Sequence, residues 1–431
     1  RLEMDVLEVI CNMELRGADI DVDGLKFLKS DLEAQLETTK ASIYKLAGKA
    51  FNINSVPEKQ RLLFTPKKDG GRGIKPKKMT PAGERRAGEG QPLSVHDFSV
   101  AHDAMNYMRG RDPLVDELLN YSDLNKLMTT YVLPYQGGKT SKVVGGKTKV
   151  IEKESILYKG RVHTDFVQYG TETGRFSSRN PNLQNVPAPH TNNGKAVRNL
   201  FIAPKGYKLV VADYSQIEPR IIASFSNDPI MMDNYLNSKD IYTTIGNTMG
   251  VDRKAGKVLV LAMAYGGGPD KIAQSIGCTV TDARKLLDDF TKKFSDIQKY
   301  RGRVIRQAVA QSPTPYVETI FGRRRYIPDL KSGDKGLRAR AERQAFNTMI
   351  QGSAADLMKL ALVRAHSCFV DEPDVNVVLT VHDELVTVAR EDLAEETAEA
   401  IRESMEGVKL PEIKVPLIAD VKIVDRWGEA K

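Results

Sequence analysis

Two aspartates lying far apart in the chain set the chemistry it could do. Asp213 closes the apolar run Leu209-Val-Val-Ala212 and is followed by Tyr214-Ser-Gln216-Ile-Glu218-Pro-Arg220. An unbroken apolar run of that length suits a strand buried on both faces. Pro219 is tolerated in the first turn of a helix after it. Asp383 stands between His382 and Glu384, in a tight connection between the apolar stretches 375–381 and 385–389, a pattern that reads as a hairpin. Singly, each has a plain structural reading, Asp213 as a helix cap and Asp383 as turn chemistry. A third stretch adds what they lack. Arg253, Lys257, Leu261 and Tyr265 recur every four positions, so on a helix they form one slowly drifting stripe. Two cations one turn apart, then an apolar residue and an aromatic, can grip a polyphosphate at one end and stack a base at the other.

Phosphoryl transfer needs charge neutralisation and in-line placement more than covalent help. A pair of divalent ions roughly 3.5–4 Å apart can activate a hydroxyl and stabilise a leaving pyrophosphate. Magnesium prefers carboxylate, carbonyl and phosphate oxygens, and bridging the pair takes two aspartates from separate elements. Asp213 and Asp383 meet that demand if their strands are neighbours, with Arg253 and Lys257 holding a triphosphate from the opposite side.

The elements that must position these groups occupy a long chain. Its 431 residues can bury a large core and should divide into two or three domains. A hydrophobic share of 41% and a charged share of 28% are those of a soluble globular protein. The formal charge of +8 favours a polyanionic partner, nucleic acid before an anionic membrane surface. Cys11, Cys278 and Cys368 form no Cys-x-x-Cys pair, which argues against a zinc site or a disulfide framework and fits a reducing compartment. No apolar run approaches the ~18 residues of a membrane span, and no signal peptide is visible. The opening arginine suggests a piece of a longer protein.

Residues 1–64 read as helical, with Asp21 or Asp23 capping a rod whose apolar positions include Leu25, Leu28, Leu32 and Ile43, and Gly48 as its stop. The lysine-, arginine-, glycine- and proline-rich stretch 65–90 reads as a mobile loop that either contacts a phosphate backbone or is merely solvated. A second loop, 136–149, holds Gly-Gly-Lys-Thr twice. Neither copy has the spacing of a phosphate-binding GxxxxGK[ST] loop. The stretch 171–187 is polar and rich in groups able to bond phosphates, sugars and base edges. Helices are expected over 227–250, 251–266, 286–305 and 341–370, with a basic hairpin at 316–328. On the last helix Arg343, Asn347 and Gln351 form a polar stripe whose groups need partners.

With these pieces in place, Asp213-Tyr-Ser-Gln-Ile-Glu-Pro-Arg220, Arg253-Lys-Ala-Gly-Lys257 with Tyr265-Gly266, and Val381-His-Asp-Glu384 resemble motifs A, B and C of the family A, polymerase I-like DNA polymerases. Thr173-Gly-Arg-Phe-Ser-Ser178, the run from Ala345 to Asp356 and Phe51-Asn-Ile-Asn-Ser55 resemble the same family, over nearly the whole chain and in its order. The resemblance implies an α+β, multidomain, right-hand polymerase with an antiparallel-sheet palm and helical fingers and thumb. The thumb would occupy 1–130, with its basic loop at 65–90. The palm would take 131–235 and 340–431, and the fingers 236–339.

The activity implied is that of a DNA-directed DNA polymerase, a nucleotidyltransferase that extends a primer 3′ end and releases pyrophosphate. Asp213, Asp383 and Glu384 would be its catalytic carboxylates. Asp213, the Tyr214 carbonyl and Asp383 would bind two Mg2+ ions, with Mn2+ as substitute. Gln216, Glu218, Tyr242, Arg253, Lys257, Leu261 and Tyr265 would meet the deoxynucleoside triphosphate, Glu218 as a steric gate against a ribose 2′-hydroxyl. Lys126, Arg175, Gln184, Asn185, Arg343, Asn347, Gln351 and His382 would meet primer-template DNA. A monomer is expected, in the cytoplasm of a bacterial or phage-infected cell or in an organelle, off the membrane. A replication helicase or primase, or upstream domains, would be further partners. No proofreading nuclease is legible in this stretch.

Two rivals stay open. A single-subunit RNA polymerase shares the two-aspartate palm, though Glu218 argues against ribonucleotides. A non-catalytic nucleic-acid-binding relative would have no use for both aspartates and the cationic stripe. The chain departs from the family pattern at Pro219, where leucine is usual, at Tyr242, where histidine often stands, and at Leu261, which replaces the aromatic that packs against the incoming sugar. Leu261→Phe or Leu261→Tyr should therefore change dideoxynucleotide incorporation relative to deoxynucleotide, as a single-turnover assay of both would read.

Overall fold

A computed structural model describes residues 2–144, 147–187, 189 and 191–431, apart from the side chains of 138–153, 192, 264 and 265. The chain forms two compact units. The first comprises Arg1–Asp19, Arg161–His190 and Phe201–Lys431, and the second Ile20–Gly160 and Thr191–Leu200. The helix Leu2–Arg16, grouped by the resemblance with a thumb, thus belongs to the unit that carries Asp213 and Asp383. Residues 131–160, grouped with a palm, belong to the other.

The first unit is built on a four-stranded antiparallel sheet. Its strands are β1 (Tyr207–Tyr214), β2 (Val375–Val381), β3 (Glu384–Arg390) and β4 (Ala419–Val424), in the order β2-β3-β1-β4. In the inner strands β1 and β3, residues 209–212 and 385–389 are buried one after another. Both sheet faces are therefore covered, the arrangement that unbroken apolar runs require. The helix Ala394–Glu406 packs on β1 and β4. Ser353–Ser367 packs on that helix and on Leu2–Arg16.

The helical part of this unit is more broken than periodicity suggests. The helix expected over 227–250 is two, Pro229–Leu236 and Ile241–Met249, capped by Asp228 and Asp240. The one expected over 286–305 is also two, Val280–Lys293 and Ser295–Val309. They meet at Phe294, whose ring stacks on Phe290 at 4.5 Å. A hydrophobic stripe can run across such a break because both pieces bury the same side. The run 341–370 is Lys335–Asn347 and Ser353–Ser367, joined through a wider, π-type turn at Thr348–Gly352.

In the second unit the rod Val22–Ala47 begins on Asp21, whose carboxylate accepts the Gly24 N–H at 2.8 Å. It ends on Gly48 at φ 71°, a left-handed stop that glycine takes without steric cost. The stretch 65–90 is folded, against the expectation of a mobile loop: it contains a short turn at Lys67–Asp69 and a helix at Pro81–Gly88 capped by Thr80. Composition misled because the partners lie outside the segment. Arg72 donates to the Leu46 carbonyl at 2.8 Å, and Lys78 lies 2.6 Å from Asp103 and over the Tyr107 ring. The stretch 136–149, read as a loop, contains the paired strands Gly138–Val144 and Lys147–Lys153, in part. Among the described residues no helix is long and apolar enough to cross a membrane.

Buried Gln60 ties this unit together by donating to the carbonyls of His96 at 3.1 Å and Phe98 at 2.7 Å. Gln60→Ala should lower the unfolding free energy by roughly 1–3 kcal/mol, visible as a lower denaturant midpoint.

Candidate active site

The carboxylates meet because of strand register. β1 and β3 pair so that Asp213 stands opposite Glu384, and Asp420 of β4 stands opposite Asp213 on the other side. Asp383 adjoins that pairing, and its carbonyl accepts the Tyr214 N–H at 3.0 Å. The two aspartates therefore project from adjoining positions at one end of the sheet. Tyr214 is anchored from below, its hydroxyl donating to the Met405 carbonyl at 2.7 Å. Gln216 turns the chain from strand to helix at φ 57°, a left-handed corner unusual for a non-glycine residue. Its side-chain oxygen accepts from the Tyr235 hydroxyl at 3.0 Å.

Cations answer the acids. Lys431 Nζ lies 3.0 Å from Asp213 Oδ2 and 2.9 Å from Glu384 Oε2. Glu384 is 2% exposed, and its other oxygen accepts from Trp427 Nε1. Arg175 Nη2 bonds Glu218 Oε1 at 2.6 Å and lies 3.7 Å from Asp383 Oδ1. Burial pushes the Asp213 carboxyl up to about 6, against the pull of Lys431 and helped by Glu384 and Asp383. Burial pulls the Lys431 ammonium down, but Glu384 and Asp213 outweigh it, so its pKa is raised.

Among the described residues no group of three or more His, Cys, Asp or Glu side chains is arranged to hold a metal ion. The donor set nevertheless fits a hard divalent cation. The Asp213 carboxylate at the end of β1, the Asp383 carboxylate in the β2–β3 turn and the Tyr214 carbonyl are oxygen donors of the right type, and the Lys431 ammonium already stands as a positive charge against Asp213. Remaining ligands would have to come from a nucleotide and water.

The hairpin that carries Asp383 is pinned from the 171–187 stretch. Gln184 donates to the Thr380 carbonyl at 2.6 Å and accepts from the His382 N–H at 3.3 Å. His382, at φ 56°, and Asn185 are exposed. On the helix Arg253–Tyr265, Arg253 and Lys257 both lie over the Tyr242 ring, at 5.4 and 5.9 Å. Arg253 Nε also bonds Asp240 Oδ2 at 2.8 Å. The Tyr242 hydroxyl is pushed up by burial and by Asp240. The helix Arg253–Tyr265 also packs on Ile217–Ser226, the helix that starts at the strand–helix corner. The helix lies backbone to backbone on Ile241–Met249: a Cβ on Gly256 would sit 2.3 Å from the Tyr242 carbonyl oxygen and 2.9 Å from the Gly246 nitrogen. Leu261 lines a cleft of about 440 Å³ with Val258, Gly267 and Ile272.

Arg343 lies against Gly266, where a Cβ would come within 2.6 Å of its Cδ. Asn347 and Gln351, both partly exposed, lie at either side of the junction into the π-type turn. Lys126 belongs to the second unit, exposed on the helix Pro113–Leu127. The side chain of Tyr265 lies outside the described residues. Sequence reasoning missed Lys431, Trp427 and Asp240. Trp427 is the single tryptophan, the one signal available. No spacing pattern marks the other two.

Comparison with known proteins gives a consistent picture. A family model described as DNA polymerase family A matches residues 22–429. The thermostable DNA polymerase I of Thermus filiformis is 34% identical over 440 residues, covering 100% of this chain and 48% of that protein. DNA polymerase I of Pseudomonas aeruginosa is 32% identical over 443 residues, 100% of this chain and 44% of that protein. The chain thus spans about half the length of the curated relatives it matches. A solved structure of the POL domain of Pol1 from M. smegmatis, in complex with DNA primer-template and dNTP, superposes with a TM-score of 0.83 at 28% identity, covering 100% of this chain and 70% of that one.

A carboxyl whose folded pKa lies above its unfolded value holds its proton more tightly when folded. Its contribution to stability is full below the unfolded value and lost as pH rises through the folded one. For Asp213 that window runs from 3.8 to about 6. In metal-free protein, the difference in denaturant midpoint between wild type and Asp213→Asn should shift against wild type as pH climbs through this window. A pH series of midpoints checks it.

Proposed function

Since the chain belongs to DNA polymerase family A, we propose that it is a template-directed DNA polymerase, adding deoxynucleotides to a primer 3′ end and releasing pyrophosphate. The observation that carries the reading is the adjacency of Asp213 and Asp383 at the end of β1 and the β2–β3 turn. The similar mycobacterial domain, solved with primer-template and dNTP, supports the substrates. The cytoplasm is the proposed compartment, in keeping with three free cysteines, and magnesium, with manganese as substitute, the proposed metal.

Asp213, Asp383 and the Tyr214 carbonyl would hold the ions. When bound, a divalent pair would acidify the primer 3′-hydroxyl and neutralise charge on the departing pyrophosphate. The chain's own groups do the rest. Arg253 and Lys257 bind the triphosphate, so Arg253 must exchange its Asp240 carboxylate for phosphate oxygens. The 3′-oxygen then bonds the α-phosphorus as the bond to pyrophosphate breaks, and the hydroxyl proton passes to water. Glu218, fixed by Arg175, occupies the space a ribose 2′-hydroxyl would need. Glu384, with both oxygens engaged by Trp427 and Lys431, orients rather than ligates. The Gln184 clamp holds Asp383 in place. In the first unit Arg175, Arg343, Asn347, Gln351, Asn185 and His382 are the proposed primer-template contacts, and in the second unit Lys126 is proposed to touch the DNA backbone.

The test is metal-dependent extension of a labelled primer with deoxy- and ribonucleotides. Wild type should extend with the former, and Asp383→Asn should fall to background. Glu218→Ala should relax discrimination against ribonucleotides by roughly tenfold or more. Preference for ribonucleotides by wild type, or full activity in Asp383→Asn, would overturn the reading.

A further inference from the structure

Away from the carboxylates, four charged groups form a second cluster that the polymerase reading does not use. Lys359 and Asp356, both on the helix Ser353–Ser367, are 0% exposed. Lys359 Nζ lies 2.7 Å from Glu3 Oε1 of the helix Leu2–Arg16. Arg323 binds both acids, Asp356 Oδ1 at 2.6 Å from Nη2 and 3.0 Å from Nε, and Glu3 from Nη2. Thr319 donates to the second Asp356 oxygen at 2.6 Å. Two cations and two anions balance. Buried ion pairs of this kind contribute little net stability, because desolvation offsets most of the attraction. A lysine wholly out of water is therefore weakly explained by stability alone.

The cluster adjoins the stretch 168–176, which includes the loop Thr171–Phe176. Lys359 Nζ lies 5.1 Å from the centre of the Phe176 ring and 3.3 Å from the Gln168 carbonyl. Gly174 is pressed against the Arg323 guanidinium, since a Cβ there would lie 2.4 Å from Nε. Arg325, from the same hairpin, holds Glu172. Between these fixed points sits Arg175, its carbonyl bonded by Thr171 Oγ1 at 2.8 Å and its guanidinium bonded to Glu218.

We infer that Glu3, Arg323, Asp356 and Lys359 are positioning residues that fix the Thr171–Phe176 loop, and through the Arg175–Glu218 contact set how strictly the site selects a deoxyribose. This rests on the polymerase reading, in which Glu218 is the steric gate. The ionic cluster acts on selectivity because it holds Arg175 at a fixed reach. Released, the loop lets Glu218 swing from the sugar.

The test compares wild type with Lys359→Met, Glu3→Gln and the double variant. It measures kcat/KM for deoxy- and ribonucleotide incorporation on one primer-template, with melting temperature in parallel. Each single variant should narrow the deoxy-to-ribo ratio severalfold, up to the roughly tenfold scale expected for removing the Glu218 gate itself. The double variant should lose no more than the worse single variant, well short of the sum of the two, because the pair acts as a unit. Glu3 is partly exposed, so Glu3→Gln decides the matter if Lys359→Met does not fold. A lowered melting temperature with an unchanged ratio in the folded variants would overturn the inference and leave a merely structural cluster. Failure of wild type to extend a primer would bring down the polymerase reading, and this one with it.

Discussion

Crowding of like charge at the buried end of a sheet is the constraint from which the rest of the site follows. Pairing β1 with β3 brings Asp213, Glu384 and Asp383 to one place. Like unit charges near 4 Å apart oppose each other by about 4 kcal/mol at an effective dielectric of 20. Such a cluster persists only with countercharge, a bound proton or bound cations. The first two are prepared here: countercharge from Lys431 against Asp213 and Glu384 and from Arg175 near Asp383, and a proton affinity at Asp213 raised by burial. A site that holds its acids at this cost is poised to accept divalent ions, because each ion relieves repulsion already present.

The cationic side follows the same logic with opposite sign. Arg253 and Lys257 share the Tyr242 ring, and Arg253 is held by Asp240. Both halves of the site thus carry internal partners of opposite charge. On the proposed reading, binding a triphosphate would be an exchange of partners rather than a capture of free charge, which would keep the groups aligned between turnovers.

Much of this was legible from residue order. The apolar run before Asp213 announced an inner strand and those around Asp383 a hairpin, and four-residue spacing announced the Arg253–Tyr265 helix. Of the two caps the sequence offered, Asp21 and Asp23, the helix Val22–Ala47 uses Asp21, and it stops at Gly48 as expected. What stayed hidden depended on contacts distant in sequence. The basic stretch 65–90 folds on Asp103 and the Leu46 carbonyl, outside itself. Hydrophobic stripes ran across Phe294 and across 237–240 without revealing that the helices break there, since each piece buries the same face. Lys431, Asp240 and Glu3 carry no periodic or motif signal, and only the folded chain shows which acids or cations they meet.

The Gly246–Gly256 contact has a mechanical consequence. Where two helices touch through backbone, with no side chain between them to slide or repack, they form a single lever. Any swing of the Arg253–Tyr265 segment must carry Tyr242 and Asp240 along, so the aromatic floor beneath the two cations travels with them. Such a hinge would turn on the breaks flanking the pair, near 237–239 and Gly266–Gly268, leaving the arrangement of the two cations over Tyr242 undistorted throughout the stroke.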